Sequence, residues 1–135
     1  MTNINGIIKE NCEKSLLFFT RYIFKENSGT RFEVAKFHIA LANTLEKVNK
    51  GDIKRLIINI PPRYGKTELA VKMYISWTLA NNPKARFIHL SYSDALALDN
   101  SSLTREYIQS DAYQRLWQLQ LKKDSQSQKK WYTIQ

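Results

Sequence analysis

Cysteine is almost absent from this sequence, since Cys12 is the only one in 135 residues. A single cysteine excludes an internal disulfide, and no Cys/His cluster has the spacing of a zinc site. No apolar run is long enough to cross a bilayer. The N-terminus has neither the apolar core nor the small-residue cleavage site of a signal peptide. These absences favour a protein of a reducing cytoplasm with no membrane partner.

Acidic residues are also scarce, with 12 Asp+Glu against 21 Lys+Arg and a formal net charge of +9. The length suits one domain. A basic balance favours polyanion partners, DNA or RNA first. The basic residues are scattered rather than massed in one arm, so a plain solvated surface is the alternative. That choice stays open for Lys84, Arg86, Lys122, Lys123, Lys129 and Lys130.

Apolar periodicity predicts helices along most of the chain, after a loose lead-in over residues 1–10. Positions three and four apart give one apolar face over residues 11–25 and another over 32–49. Gly51 is placed as a C-terminal cap of the second helix. An apolar helix is predicted over residues 66–81, stopped by Asn82-Pro83. Ser93-Asp94 and Ser110-Asp111 are N-cap signals for two further helices.

Continuous β-branched and apolar runs over residues 54–60 and 85–91 predict two strands that are covered on both faces. The helix between them makes one βαβ unit with parallel strands and a right-handed crossover. Residues 131–135 offer a third strand. The predicted fold class is therefore α/β, with a short parallel sheet and flanking helices.

The first predicted strand runs into Gly65-Lys66-Thr67, the second half of a phosphate-binding loop. In the pattern G-x-x-x-x-G-K-[ST], backbone N–H groups cradle phosphates, Lys supplies a positive charge and Ser/Thr can ligate Mg²⁺. A following helix N-terminus adds its positive dipole end. The match is incomplete, because Ile60 stands where the first Gly belongs. The alternative interpretation is an ordinary strand–turn–helix with a Lys at the helix start.

Several segments, in the right order, together resemble the large terminase subunit of tailed bacteriophages. They are Phe37-His38 with its helix, the stretch GDIKRLIINIPPRYGKTE, the helix with Trp77, ARFIHLSYSDALAL, and EYIQSDAYQRLW before a Lys-rich stretch. The Pro-Pro-Arg-aromatic-Gly-Lys-Thr form is more specific than a bare phosphate loop and accounts for Ile60. The resemblance covers roughly residues 32–135.

The resemblance implies a helical lead-in over residues 1–31 and a partial P-loop ATPase domain over residues 32–135. It implies ATP-driven packaging of double-stranded DNA into capsids, in the cytoplasm of a bacterial host. The small terminase subunit and the portal of the prohead would be the protein partners. In this family a metal-dependent nuclease domain follows the ATPase domain.

The resemblance also implies roles for individual residues. Lys66 would contact the β/γ-phosphates of ATP, Thr67 would hold Mg²⁺, and Arg63 would face the nucleotide as charge develops, so Lys66 and Arg63 are the catalytic candidates. Phe37 and His38 match a segment near adenine, although Phe37 fits a plain core position and His38 a solvated neighbour. The full set of predicted nucleotide-binding residues is Phe37, His38, Pro62, Arg63, Tyr64, Gly65, Lys66, Thr67 and Glu68.

The sequence lacks the Walker B strand and its acids, and the nuclease carboxylates are missing as well. None of the acids after the loop directly follows an apolar run, so we expect nucleotide binding without ATP turnover. A truncated chain, a split gene and a decayed prophage remnant are equally compatible. The alternative hypotheses for the function are a helicase-like or kinase-like P-loop enzyme and a non-catalytic basic binding module. A sheet this short would leave unpaired edges, which predicts marginal stability or self-association.

Overall fold

The computed structural model describes residues 3–123 and 130–133, and the elements in this part of the chain are helices. A π-helical segment, Glu68–Met73, leads directly into the fourth α-helix. The α-helices are α1 Ile4–Lys14, α2 Leu16–Ser28, α3 Lys36–Lys50, α4 Tyr74–Asn81, α5 Asp94–Gln109 and α6 Asp111–Trp117.

Local capping explains most of the helix boundaries. Ser15 separates α1 from α2, and its hydroxyl accepts a hydrogen bond from the Phe18 N–H. The predicted Ser93 and Ser110 N-caps are confirmed, since each serine accepts a bond from a backbone N–H of the helix it precedes. Gly51 is confirmed as the cap of α3, with a φ of 86°. The expected loose lead-in is wrong for residues 4–10, because α1 begins at Ile4 after an Asn3 cap.

The predicted helix over residues 66–81 is present, but its first part is not regular α-helix. Over Glu68–Met73 the turns widen to π-helix, and the Tyr74 N–H bonds to the Leu69 carbonyl, five residues earlier. Such a widening is found mostly as a single turn within an α-helix. Leu69 and Met73 are fully buried, and the segment packs against α2, α3 and α5. It is therefore the central element of the helical assembly.

The core draws buried residues from every one of these helices, and one part of it lies where α1, α2, α4 and α6 meet. Trp77 on α4 donates its indole N–H to the Cys12 carbonyl at the end of α1, at 2.8 Å. The Tyr113 hydroxyl on α6 donates to the Ser76 carbonyl at 2.9 Å. Phe19 on α2 packs against the Tyr113 ring edge to face, with centroids 6.2 Å apart. These contacts join helices of the predicted lead-in, residues 1–31, to helices of the predicted domain over residues 32–135. The division at residue 31 stays a prediction.

The predicted α/β fold with a parallel P-loop sheet is wrong. The described ranges 3–123 and 130–133 contain no β-strand, and their one β-bridge is antiparallel, between Leu121 and Thr133. Residues 54–60 and 85–91 carry β-branched residues but do not pair with each other. A strand requires hydrogen bonds from a partner strand, which a local pattern cannot supply. The helix between these segments packs into a helical core instead of covering a sheet. Of the third predicted strand, residues 134–135 lie outside the described residues.

The two irregular segments nevertheless keep large apolar side chains on the surface. Ile57 is 86% exposed, and Ile88, Leu90 and Tyr92 are 84% to 94% exposed. Single exposed apolar side chains are ordinary on soluble proteins, but runs of them mark interaction sites or association. The surface therefore carries apolar residues that the core does not cover, at the two places where strands were predicted.

Candidate phosphate-binding loop

The loop over residues 61–67 has an unusual backbone. Arg63 and Gly65 both lie in the left-handed region, with φ of 68° and 76°, on either side of Tyr64. Positive φ is ordinary for Gly65 but costs a residue such as Arg63 about 1–3 kcal/mol. Changes of handedness between neighbouring residues turn successive N–H groups toward one concave side, which is the geometry of an anion-binding nest. A strained arginine inside such a turn is a functional-site signal.

The helix that follows opens directly from this loop. The Gly65 carbonyl accepts from the Leu69 N–H at 3.0 Å, so Gly65 occupies the cap position and Lys66 is the first helical residue. The N–H groups of Lys66, Thr67 and Glu68 precede the first bond within the helix. They carry the positive end of the helix dipole and are the groups an anion would meet.

Lys66 folds back over the same loop. Its Nζ lies 3.4 Å from the Ile60 carbonyl oxygen, a long contact that holds the ammonium group beside the loop entrance. The side chain is half-buried. The neighbouring Arg63 is exposed. Both predicted catalytic residues, Arg63 and Lys66, therefore lie in one short turn.

His38 braces the loop from α3. The Ala35 N–H donates to His38 Nδ1 at 2.9 Å, so Nε2 carries the proton and donates to the Tyr64 carbonyl at 2.7 Å. His38 is only 6% exposed. The solvated position considered for His38 is therefore wrong, and the adenine contact stays a prediction. His38 supports the backbone of the loop between the two left-handed residues.

The back of the loop is closely packed. A Cβ added at Gly65 would lie 3.3 Å from His38 Nε2 and 3.4 Å from Phe32 Cζ. Glycine is thus required at this position for its backbone conformation and also for its small size. Phe37 packs on His38 with ring centroids 4.1 Å apart and meets the Tyr64 ring at 5.9 Å. Tyr64 is 53% exposed and forms the outer wall of the loop.

Glu68 does not face the loop. Its carboxylate forms an ion pair with Lys72 at 3.0 Å and accepts a short hydrogen bond from the Tyr107 hydroxyl on α5. Burial raises the pKa of Tyr107, and the bond to Glu68 and its negative charge raise it further. Tyr107 therefore stays protonated and holds the carboxylate toward α5. Glu68 therefore ties the start of the helix to α5.

Thr67 is the remaining predicted ligand residue, and its fit to Mg²⁺ depends on the phosphate. Thr67 is exposed at the first turn of the helix. Within residues 3–123 and 130–133 no group of three His, Cys, Asp or Glu residues could hold a metal ion. Mg²⁺ is commonly held by one or two protein oxygens together with substrate phosphates. Thr67 as a Mg²⁺ ligand therefore stays a prediction, in which phosphate oxygens and water would supply the remaining ligands.

The motif residues lie together in one loop, and their role in binding phosphate stays a prediction. The motif missed the side chains that support the loop. Pro62 and Arg63 are exposed at the tip of the turn, and Gly65, Lys66 and Thr67 follow in one continuous stretch. Phe32 and Tyr107 were not among the predicted residues. Nothing in the local pattern relates Tyr107 to Glu68, which lies 39 positions away in the chain.

Comparison with known proteins gives no family for this chain, because no family model, curated protein or solved structure matches it. The terminase identification is wrong on two grounds, the lack of any such match and the lack of a parallel sheet among the described residues. Within residues 3–123 and 130–133, no helix combines the length and the apolar character needed to cross a membrane.

Proposed function

We propose that the loop over residues 61–67 binds the phosphate groups of a nucleotide, with ATP and Mg²⁺ as its ligand. The observation that carries this proposal is the left-handed pair Arg63 and Gly65 immediately before a helix that starts with Lys66. The turn, the free N–H groups and the ammonium group all favour an anion on the same side.

The proposal needs no parallel sheet. In a P-loop enzyme the sheet fixes the loop from behind, whereas here His38 and the packing of Phe32 against Gly65 would do so. Lys66 would exchange its contact with the Ile60 carbonyl for a phosphate oxygen, a stronger charge-assisted bond. Arg63 would add a second cation, and its planar guanidinium can meet two phosphate oxygens at once.

Hydrolysis is not part of the proposal. Activation of a water molecule needs a general base close to the terminal phosphate. Glu68, the carboxylate that follows Lys66-Thr67 in the sequence, is held by Lys72 and Tyr107. We therefore infer a binding function in which the nucleotide is retained rather than consumed. Double-stranded DNA as a partner stays a prediction that is supported by the net charge of +9.

The test is a titration of a fluorescent ATP analogue with Mg²⁺ into the chain and into Lys66→Ala. Loss of a charged hydrogen bond is worth about 1.5–3 kcal/mol, so affinity should fall roughly ten- to a hundredfold. Lys50→Ala is the matched control, because it removes the same charge at the far end of α3, about 18 Å along the helix from His38. Saturable binding that only Lys66→Ala weakens supports the proposal. Absence of binding by a folded chain, or equal loss in both variants, rejects it.

A further inference from the structure

A second basic feature is an open cleft of about 1010 Å³, whose lining includes no residue of the loop over residues 61–67. Its floor is apolar and comes from the π-helical segment and α4, including Val71, Ile75 and Leu79. One wall is α5, and the other is the irregular segment over residues 83–89. Residues 130–133 close one end, so distant parts of the chain build the cleft.

Contacts among described residues hold this end of the cleft in place. The Trp131 indole N–H donates to the Ser101 hydroxyl on α5 at 3.0 Å. The Thr133 hydroxyl donates to the Pro83 carbonyl at 2.9 Å. The Lys122 N–H donates to the Tyr132 carbonyl at 2.8 Å. Residues 130–133 are thereby tied to both walls of the cleft.

The charge of the cleft is strongly one-sided. Its charged lining, within the described part of the chain, consists of the four basic residues Lys84, Arg86, Lys122 and Lys130 and a single acid, Asp94. The ion pairs found among the described residues lie elsewhere and leave Lys84, Arg86 and Lys130 out. Basic residues that are scattered in the sequence thus converge on one concave surface.

Aromatic rings are placed among these cations. Tyr132 is 45% exposed, and the ammonium groups of Lys122 and Lys130 lie 5.7 and 5.3 Å from its ring centroid. Phe87, on the opposite wall, is 39% exposed and forms a T-shaped contact with Tyr74, with ring centroids 6.1 Å apart. Partly exposed aromatic rings beside cations suit a ligand that carries flat rings and phosphates together. A duplex keeps its base faces stacked inside, whereas a single strand offers them to such rings.

We propose that the cleft between α5 and the segment over residues 83–89 binds single-stranded nucleic acid, with bases on Phe87 and Tyr132 and phosphates on Arg86, Lys84 and Lys130. This function is independent of the nucleotide loop. It assigns a role to Lys84, Arg86 and Lys130, three of the six basic residues for which DNA contact and a solvated surface were both open; of the other three, Lys129 lies outside the described residues.

The test uses fluorescence anisotropy with a labelled thymidine oligonucleotide, its uridine counterpart, and a duplex of the same length, about 15 units. Either single strand should bind more tightly than the duplex, and the ratio of the two shows which sugar is preferred. If the cleft neutralises three or four phosphates, the affinity should fall roughly twenty- to fiftyfold between about 50 and 200 mM salt.

Matched variants assign the binding to the cleft. Phe87→Ala and Tyr132→Ala should each weaken single-strand binding about five- to a hundredfold, while Phe18→Ala, an equally exposed ring on α2, should not. Arg86→Ala with Lys130→Ala should weaken binding and flatten the salt dependence, while Lys47→Ala with Lys50→Ala should not. Circular dichroism checks that each variant keeps its helices, and Lys66→Ala should bind the strand normally. Duplex binding as tight as single-strand binding, or equal losses in the control variants, overturns the proposal.

Discussion

At the scale of single residues, Gly65 has the most constrained position in the loop. Its φ of 76° needs a left-handed backbone, and the space behind it is closed by His38 and Phe32. Gly51 at the end of α3 has a similar φ of 86°, but nothing lies within 4 Å of an added Cβ. Both positions therefore need glycine for its left-handed backbone, and only Gly65 also needs it for its small size.

Gly65→Ala and Gly51→Ala should both destabilise the protein, by about 1–2 kcal/mol for the left-handed conformation. Gly65→Ala should cost more, because its methyl group must displace His38 or Phe32. It should also abolish nucleotide binding, since the Tyr64 carbonyl would lose its support. Urea denaturation and titration of the ATP analogue measure the two effects. Normal nucleotide binding by Gly65→Ala would show that the braced loop is not the site.

At the scale of secondary-structure elements, the contact between α1, α4 and α6 buries two ionisable groups. Burial raises the pKa of the Cys12 thiol to about 12, and the neighbouring Glu13 charge adds to the shift. Burial also raises the pKa of the Tyr113 phenol. Both groups are therefore neutral in the folded protein at pH values where they ionise in the unfolded chain.

This contact predicts alkaline destabilisation. In the unfolded chain the thiol ionises near pH 8.5 and the phenol near pH 10. Above each value the folded state holds a proton that the unfolded state has released, so stability falls as pH rises, by about 1.4 kcal/mol per pH unit for each group. Thermal melts between about pH 8 and pH 11 should show the decline. Cys12→Ala should remove the part between about pH 8.5 and pH 10. An unchanged slope in this variant would contradict the assignment.

The helices and the predicted strands differ in how far the sequence alone can predict them. Ser93, Ser110 and Gly51 act within one turn of their own helix, so local chemistry was enough to place these boundaries. Residues 54–60 and 85–91 have strand-like composition, but their pairing depends on distant partners that no local pattern specifies. The same limit applies to the site. Gly65-Lys66-Thr67 indicated a turn followed by a helix, which is present, whereas the His38 bond to the Tyr64 carbonyl joins residues 26 positions apart.

At the scale of the whole molecule, the exposed apolar segments predict self-association. Ile57 and Leu90 are more than four-fifths exposed, at 86% and 84%. Burial of such side chains between copies is worth about 1.5–3 kcal/mol each. The apparent mass in light scattering should therefore rise with protein concentration.

Ile57→Glu with Leu90→Glu should keep the protein monomeric at the same concentrations and reduce the binding of an apolar dye. Ile4→Glu is the control, since Ile4 is 67% exposed but lies on α1. A parent protein that stays monomeric at every concentration would show that these segments do not drive association.

The left-handed turn at Arg63 and Gly65 also has a consequence for the kinetics of ligand capture. The conformational entropy of the loop is lost when the chain folds, because His38 and Phe32 already hold its backbone. An arriving anion then has little chain to order, so less of its binding free energy is spent on reorganisation. A preorganised loop of this kind should bind its ligand in a single fast step. The rate should follow diffusion and salt concentration rather than a slow rearrangement of the loop.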